Sequence, residues 1–337
     1  MKILFDHTLP FILAHGGYQT QIEQTKAALE RRGIEVEYIR WWDEKQKAPI
    51  IHYFGRPDGG YIEFAHDKGI KVVVAELLTG LGSRSSTARF AQKALMQFTQ
   101  AALPQVYWSR LGWDTYQKAD AFVSLTEWEG HLMHDIFRAD PARVHIIPNG
   151  VEDIFFQSPA TEKREPGAGY LVCTAAIHPR KRLLELAEAA ACAKVPVWII
   201  GRPYSETDPY YLRFLKVQQG NPNIIRYEGP VSDRAQLAKI YRQARGFVLL
   251  STQESLSLSA LEAAASHCPL LLSDLPWART AFGTEATYAD GALPPARLAP
   301  ILKAFFETAP SKRPSFKPLT WDEVAGQFHA LYTGLLK

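Results

Sequence analysis

The stretch Gly246-Phe-Val-Leu-Leu-Ser-Thr-Gln-Glu254-Ser-Leu-Ser-Leu-Ser-Ala-Leu-Glu262-Ala-Ala-Ala265 holds the most informative pattern of the chain. Its apolar beginning predicts a buried strand, the polar residues after it predict a turn, and the small and apolar residues that follow predict a helix. The first turn of a helix has free backbone N–H groups, which favour anions. Glu254 and Glu262 flank that anion site, so the pattern suits a ligand with a phosphate centre and hydroxyl groups at both ends.

The spacing of the two glutamates carries little weight without its context. With 21 glutamates in 337 residues, chance alone gives about 1.3 pairs at this spacing. The segment continues, however, with small residues and then a second apolar run, Pro269–Ser273. Strand, Glu, seven residues, Glu, small-residue helix and strand is a layout that resembles the retaining glycosyltransferases of family 4, which have the GT-B fold.

Short apolar runs alternate with helical patterns along the whole chain, which predicts parallel sheets with helices on both faces. The pattern breaks near residues 158–169, where Pro, Gly and charged residues replace it. The predicted strands are Lys2–Phe5, Glu35–Ile39, Ile50–Phe54, Lys71–Ala75, Ala121–Leu125 and Val144–Ile147 before the break, and Tyr170–Ala175, Val195–Ile200, Asn223–Tyr227, Gly246–Leu250 and Pro269–Ser273 after it.

The fold class is therefore α/β, with two Rossmann-like doubly wound domains. We expect domains at 1–157 and 165–318, with a capped helix at 320–337. The resemblance implies that the two domains face each other across a cleft and that the last helix crosses back to the N-terminal domain. It also implies that the first domain binds the acceptor and the second a nucleotide sugar.

Composition narrows the functional classes. A net charge of +3 is too small to indicate a nucleic-acid partner. Three cysteines far apart in apolar segments favour reduced, buried thiols in a cytoplasmic protein. Neither a signal peptide nor a membrane-spanning run is predicted, so any membrane contact would be peripheral, on the inner face.

A basic motif, His178-Pro-Arg180-Lys181-Arg182, follows the first strand of the second domain. Fixed cations there would stabilise the charge that builds on a departing diphosphate. By resemblance, Lys181 is the phosphate-binding lysine, with Arg180 beside it, and Glu254 holds donor-sugar hydroxyls; these three are the predicted catalytic residues. The family has an arginine at the place of Ala175, so either Arg180 or Arg182 replaces it or the site is weakened.

The remaining donor contacts are implied by the same resemblance. Glu262 would accept hydrogen bonds from the ribose. If the residues between the two glutamates are mostly helical, they span about 12 Å, comparable to a sugar diphosphate nucleoside. Backbone groups would contact the diphosphate or the base at the following positions: Leu256, Ser257 and Leu258 at the helix start, Gly16 and Gly17 after the first strand, and Gly201, Arg202 and Val231 after later strands of the second domain.

The acceptor side is predicted from three residues. His52 resembles a third-strand histidine that faces the cleft, and His15 precedes the glycine pair. Glu76 stands where the family often has a His-Gly pair; it could bind an acceptor hydroxyl or take its proton, or be a surface residue.

One further segment has an unusual composition. No acidic residue occurs from Leu77 to Trp113, while basic and aromatic residues alternate there. Such a segment suits an anionic membrane surface, proposed at 84–113, or a phosphate-bearing acceptor. The competing interpretation, which we favour from the sequence, is a domain face whose apolar side lies in the core.

Two sequence patterns are missing. The chain contains no Asp-x-Asp and no Walker A sequence, so no metal and no cofactor is expected beyond the donor substrate. The resemblance then implies a metal-independent retaining transferase that moves a hexose-type sugar from a UDP- or GDP-sugar to a glycan, lipid-linked or other hydroxyl acceptor. Two alternatives remain: a catalytically weak nucleotide-sugar or glycan-binding protein, and a GT-B nucleotide-sugar epimerase or hydrolase.

Overall fold

The computed structural model describes residues 1–8, 10–12, 16–102, 104, 107, 109, 111–157, 169–311 and 314–337, except for the side chain of Gln100. The chain divides into two compact units, Met1–Gly150 with Leu319–Lys337, and Val151–Pro318. The first boundary lies seven residues earlier than expected. A 3₁₀ turn at Asp153–Phe156 belongs to the second unit because Phe155 is fully buried there, beside Tyr241.

The first unit contains a six-stranded parallel sheet in the order β2-β1-β3-β4-β5-β6. Its strands are β1 (Lys2–His7), β2 (Glu35–Tyr38), β3 (Ile50–Phe54), β4 (Lys71–Ala75), β5 (Ala121–Ser124) and β6 (Val144–Ile146). Its helices among the described residues are α1 (Gly17–Arg31), α2 (Gly59–Asp67), α3 (Thr79–Gly82), α4 (Ser86–Ala102), α5 (Thr115–Lys118), α6 (Glu127–Phe137) and the last helix of the chain.

The second unit contains another six-stranded parallel sheet, in the order β12-β11-β10-β7-β8-β9. Its strands are β7 (Leu171–Thr174), β8 (Val197–Ile200), β9 (Ile225–Tyr227), β10 (Gly246–Leu249), β11 (Leu270–Ser273) and β12 (Ala286–Ala289). Its helices are α7 (Leu183–Ala193), α8 (Pro209–Gly220), α9 (Arg234–Gln243), α10 (Leu258–Ala265), α11 (Pro276–Phe282) and α12 (Pro295–Thr308).

The predicted α/β class and doubly wound sheets are confirmed, and each predicted strand is present within one or two residues at its ends. The central strands are mostly apolar because both faces of a parallel sheet are covered by helices, whereas the edge strands β2 and β9 contain charged residues. Strand β12 was not predicted. Its residues, Ala-Thr-Tyr-Ala, are only partly buried because it is an edge strand. Cys173 and Cys268 are buried as expected, whereas Cys192 is exposed near the end of α7.

The last helix, α13 (Trp321–Leu335), packs against α1 and belongs to the first unit. It begins with the predicted capping box, in which Thr320 and Glu323 satisfy each other's backbone N–H groups. At its start, Trp321 lies so close to Gly150 that a Cβ there would stand 2.6 Å from the tryptophan Cα. Further along, the Tyr332 hydroxyl lies 2.7 Å from Nδ1 of His52. The helix therefore covers the end of the first sheet's core.

Candidate active site

The second unit has its strand-order reversal between β7 and β10. The chain proceeds from β7 outward to β9, then returns to the other side of β7 with β10 and continues to β12. In doubly wound sheets, ligands bind at the carboxyl ends of the strands beside such a switch point. The loops that follow β7 and β10 are joined there, since the backbone N–H of Thr252 donates to the carbonyl of Arg180 at 2.9 Å.

These two loops bring Lys181 and Glu254 together. The ammonium group of Lys181 forms an ion pair with the carboxylate of Glu254, although 73 positions separate them in sequence. Both side chains are largely shielded from water, with exposed fractions of 16% and 10%. Shielding strengthens the attraction between opposite charges. A cation and a carboxylate thus lie side by side at the switch point.

The loop that contains Lys181 also contains two further cations, Arg180 and Arg182, whose head groups have different surroundings. Arg180 is partly exposed, and its guanidinium has no hydrogen-bond or ion-pair partner among the residues that the structure describes. Arg182 adopts a left-handed backbone and donates to the carbonyl of Leu293 at 2.7 Å. The suggestion that Arg182 replaces the arginine missing at Ala175 is therefore not supported, because its head group is bound to the backbone elsewhere. Replacement by Arg180 and a weakened site both stay predictions.

Helix α10 begins at Leu258, with Ser257 as its N-cap; the Ser257 hydroxyl accepts from the N–H of Ala260 at 3.3 Å. The segment from Glu254 to Ser257 is not helical, and the helix covers Leu258 to Leu261 of the residues between the two glutamates. Leu256 is buried before the helix, and Leu258 is its first residue. The predicted backbone contacts therefore come from a turn and a helix start together.

The second predicted glutamate, Glu262, is buried on α10 and has a partner that the sequence did not indicate. Arg234, the first residue of α9, bonds to Glu262 and also to Glu152, at 2.6 Å. Its guanidinium lies over the ring of Phe155. Burial raises the pKa of Glu262 above its ordinary value, while the charge of Arg234 opposes that shift. Arg234 thus favours the ionised carboxylate.

Arg234 and Glu152 could not be found from the sequence, because neither forms a local motif with Glu262. The one available signal was Asp233, a helix N-cap, which places residue 234 at the start of a helix after β9. In a doubly wound sheet such a position lies at the carboxyl edge.

The other predicted donor residues lie along the same edge. Gly201, after β8, has φ of +150°, and a Cβ on it would stand 1.9 Å from the carbonyl oxygen of Ala175. The carbonyl of Arg202 accepts from the N–H of Ile177 at 3.0 Å. Val231 is partly buried between β9 and α9. Their roles toward a nucleotide stay predictions.

In the first unit, the glycine pair lies where it was expected, with Gly16 as the N-cap of α1 and Gly17 as its first residue. His52, however, does not face a ligand. Its side chain is fully buried between Phe54 and the last helix, where it contacts Phe328 and Tyr332. Assigning it to the acceptor side was wrong, because α13 covers it.

Glu76 is partly buried rather than on an open surface. Its carboxylate accepts from Nε of Arg56 at 2.7 Å and from the Tyr116 hydroxyl. A proton-accepting role for Glu76 stays a prediction. His15 lies outside the described residues.

No group of three metal-ligating side chains occurs within the described part of the chain. The expectation that no metal takes part therefore continues to depend on the sequence patterns alone.

Residues 168–297 match the family described as glycosyl transferases group 1. This match lies within the second unit. The match includes Lys181, Arg234, Glu254 and Glu262, and it confirms the resemblance to the family 4 enzymes.

Two curated relatives illustrate the sequence similarity. The chain is 28% identical over 187 residues to a D-inositol 3-phosphate glycosyltransferase of Jonesia denitrificans, covering 49% of this chain and 43% of the relative. It is 31% identical over 170 residues to D-inositol 3-phosphate glycosyltransferase 2 of Catenulispora acidiphila, covering 45% and 40%. The matched regions thus span about two fifths of the length of these relatives.

Solved structures share the fold over the whole chain. Sucrose-phosphate synthase from Thermosynechococcus elongatus superposes with a TM-score of 0.72 at 16% identity, covering 99% of both chains. Anabaena Alr3699/HepE, solved in complex with UDP-glucose, superposes with a TM-score of 0.66 at 14% identity, covering 99% of this chain and 100% of that one. The GT-B fold class is confirmed by these neighbours.

Proposed function

We propose that this protein transfers a sugar from a nucleoside diphosphate sugar to a hydroxyl acceptor. The observation that carries the proposal is the shielded pairing of Lys181 with Glu254 at the switch point of the second sheet, next to the start of α10. A sugar diphosphate needs a cation for its phosphates and an acceptor of hydroxyl hydrogen bonds beside that cation. These two groups supply both.

Each group has a distinct task in this proposal. Lys181 and the unpartnered Arg180 bind the diphosphate, together with backbone N–H groups of the turn at Leu256 and the start of α10. Glu254 accepts hydrogen bonds from the sugar once the diphosphate has taken over Lys181. Glu262, kept ionised by Arg234, accepts the ribose hydroxyls at the other end of the donor.

The transfer itself is proposed to retain the anomeric configuration. The bond from the sugar C1 to the phosphate oxygen breaks, the acceptor oxygen bonds to C1 on the same face, and the acceptor proton passes to the departing phosphate. Lys181 and Arg180 stabilise the negative charge that builds on that phosphate. Analysis of the product anomer tests this step, and an inverted linkage would refute it.

The donor and acceptor in this proposal are inferred from similar proteins. A similar structure was solved with UDP-glucose, which supports a UDP-hexose donor, with GDP-sugars as the other candidate. The similar curated enzymes carry inositol phosphate in their names, which supports a hydroxyl acceptor in a glycan, a lipid-linked sugar or a polar small molecule. Transfer without a metal is part of the proposal, and full activity in a chelator would support it.

Replacing Lys181 tests the proposal directly. We expect Lys181→Ala to lower kcat/KM for transfer about 10²–10³-fold, because one fixed charge on the leaving group is lost. Lys239→Ala, an exposed lysine on α9 of the same unit, is the matched control and should keep full activity. An active Lys181→Ala enzyme would contradict the assignment.

One observation favours the alternative of a catalytically weak nucleotide-sugar-binding protein. The site lacks an arginine at Ala175, and Arg182 is bound to the carbonyl of Leu293, so the leaving group has one cation fewer. The rate at which the nucleotide sugar is consumed, measured with and without acceptor, distinguishes these functions. Turnover that needs no acceptor would indicate an epimerase or hydrolase, and tight binding with no turnover would indicate a binding protein.

A further inference from the structure

Helix α4 is amphipathic, but its apolar face is exposed and its more polar face contacts the protein, the reverse of a core helix. At roughly 100° per residue, most of its apolar residues fall within an arc of about 140°. That arc contains Phe90, Ala91, Ala94, Leu95, Phe98, Ala101 and Ala102. All seven are exposed, including Phe90 at 76%, Phe98 at 69% and Leu95 at 60%.

The opposite side of α4 contacts the protein with mostly polar residues. Met96 is buried, and on the same side lie Arg89, Gln92 and Lys93, each partly buried. The guanidinium of Arg89 lies 4.7 Å from the ring centre of Trp128 on α6. A helix of a water-soluble domain normally does the reverse and turns its apolar stripe to the core. The sequence expectation of an apolar side in the core is therefore wrong for this helix.

Charge around the arc favours one kind of occupant. No acidic residue occurs from Leu77 to Trp113, while Arg84 is exposed just before the helix and Lys93 borders the arc next to Phe90. Beyond the helix, Tyr107 and Leu111 are more than half exposed. An apolar face flanked by cations, in a segment without acidic residues, fits the headgroup region of an anionic bilayer.

We propose that the exposed face of α4 binds an anionic lipid surface, with the helix lying in the plane of the interface. Phe90, Leu95 and Phe98 enter the acyl boundary, while Arg84 and Lys93 contact lipid phosphates. No described helix is long and apolar enough to cross a bilayer, so the contact is peripheral. This proposal does not depend on sugar transfer, because it concerns a surface of the first unit and is measured without donor or acceptor.

Vesicle sedimentation of the full chain tests the proposal. The wild-type protein should bind vesicles of equal parts phosphatidylcholine and phosphatidylglycerol, and bind phosphatidylcholine vesicles far more weakly. The double variant Phe90→Ser/Phe98→Ser should lower partitioning onto anionic vesicles roughly 100-fold, about tenfold for each phenylalanine withdrawn from the interface. Arg84→Gln/Lys93→Gln should lower it roughly twentyfold.

The matched control is Phe64→Ser, an equally exposed phenylalanine (71%) on α2 that lies beside Glu63. It should bind vesicles like the wild type. The phenylalanine variants should keep the wild-type melting temperature, because the replaced side chains are exposed.

Three outcomes would overturn the proposal. One is a wild-type protein that does not bind anionic vesicles; another is a Phe90→Ser/Phe98→Ser variant that binds as well as Phe64→Ser. The third is a wild-type dimer in size-exclusion chromatography that this double variant converts to a monomer without any vesicle binding. That result would assign the face to a second copy of the chain.

Discussion

Among single residues, Arg234 connects the ligand site to the stability of the second unit. It bonds to the buried Glu262 and to Glu152, and no other cation is recorded beside these carboxylates within the described residues. Removing one partner of a buried ion pair leaves the other charge uncompensated. The pair is therefore expected to couple donor binding with folding.

Replacing Arg234 with methionine should lower the free energy of unfolding by about 1–2 kcal/mol near neutral pH. The pKa of Glu262 in the folded state is already raised by burial and would rise further, so the folded state would bind the proton more tightly than the unfolded state. The loss should then be smaller at pH 5 than at pH 8. Urea unfolding at both pH values measures this, and Arg234→Met/Glu262→Gln should recover most of the loss.

His52 makes the first unit sensitive to acid. Burial lowers its pKa to about 3, whereas an unfolded histidine titrates near 6.5. The unfolded state therefore binds the extra proton first, and stability falls as the pH drops below about 6.5. Between pH 6.5 and 5 the loss is about 2 kcal/mol. His52→Gln should flatten this slope in urea unfolding, and an unchanged slope would contradict the assignment.

Only some of the ion-paired residues could be predicted from the sequence. Lys181 and Glu254 could be proposed because each lies in the loop after a strand of the same sheet. Arg234 could not, because its role depends on where α9 stands relative to α10. His52 was misassigned because the chain reaches Tyr332 only 280 positions later, and no local pattern records that contact.

Among the elements, the turn after β8 depends on a glycine. Gly201 has a backbone conformation that side chains rarely adopt, and the carbonyl of Ala175 occupies the place of a Cβ. The turn holds the end of β8 against the loop after β7, so it fixes the edge at which the ligand site lies.

Gly201→Ala should destabilise the second unit by about 2–3 kcal/mol, because alanine is strained at this positive φ and its Cβ would overlap the carbonyl oxygen of Ala175. Gly220→Ala is the matched control, since Gly220 ends α8 with an ordinary φ and open space around it. It should stabilise the unit by about 0.5–1 kcal/mol. Thermal unfolding of both variants measures the contrast, and equal melting temperatures would contradict this account.

For the whole molecule, the sequence predicted the fold class and the positions of most strands because buried parallel strands are short and apolar. It placed the first domain boundary seven residues late, because the Asp153–Phe156 turn has no local signal of the unit it joins. It also missed the edge strand β12 and the outward face of α4, whose exposure depends on packing rather than on composition.

A chain ending at Pro318 should lose the first unit and keep the second. Helix α13 buries Trp321, Val324, Phe328 and Tyr332 in the first unit, while residues 151–318 are continuous. Limited trypsin digestion followed by mass spectrometry should therefore cleave within 1–150 and spare 169–311. Equal resistance of both regions would show that the helix is dispensable.

The position of α13 also sets an order of events during synthesis. Residues Leu319–Lys337 must be synthesised before the first unit can close over His52. The second unit, complete at Pro318, is free to fold earlier. Folding of these two units therefore runs against the usual N-terminal-first direction, because the first unit stays open until α13 has been synthesised.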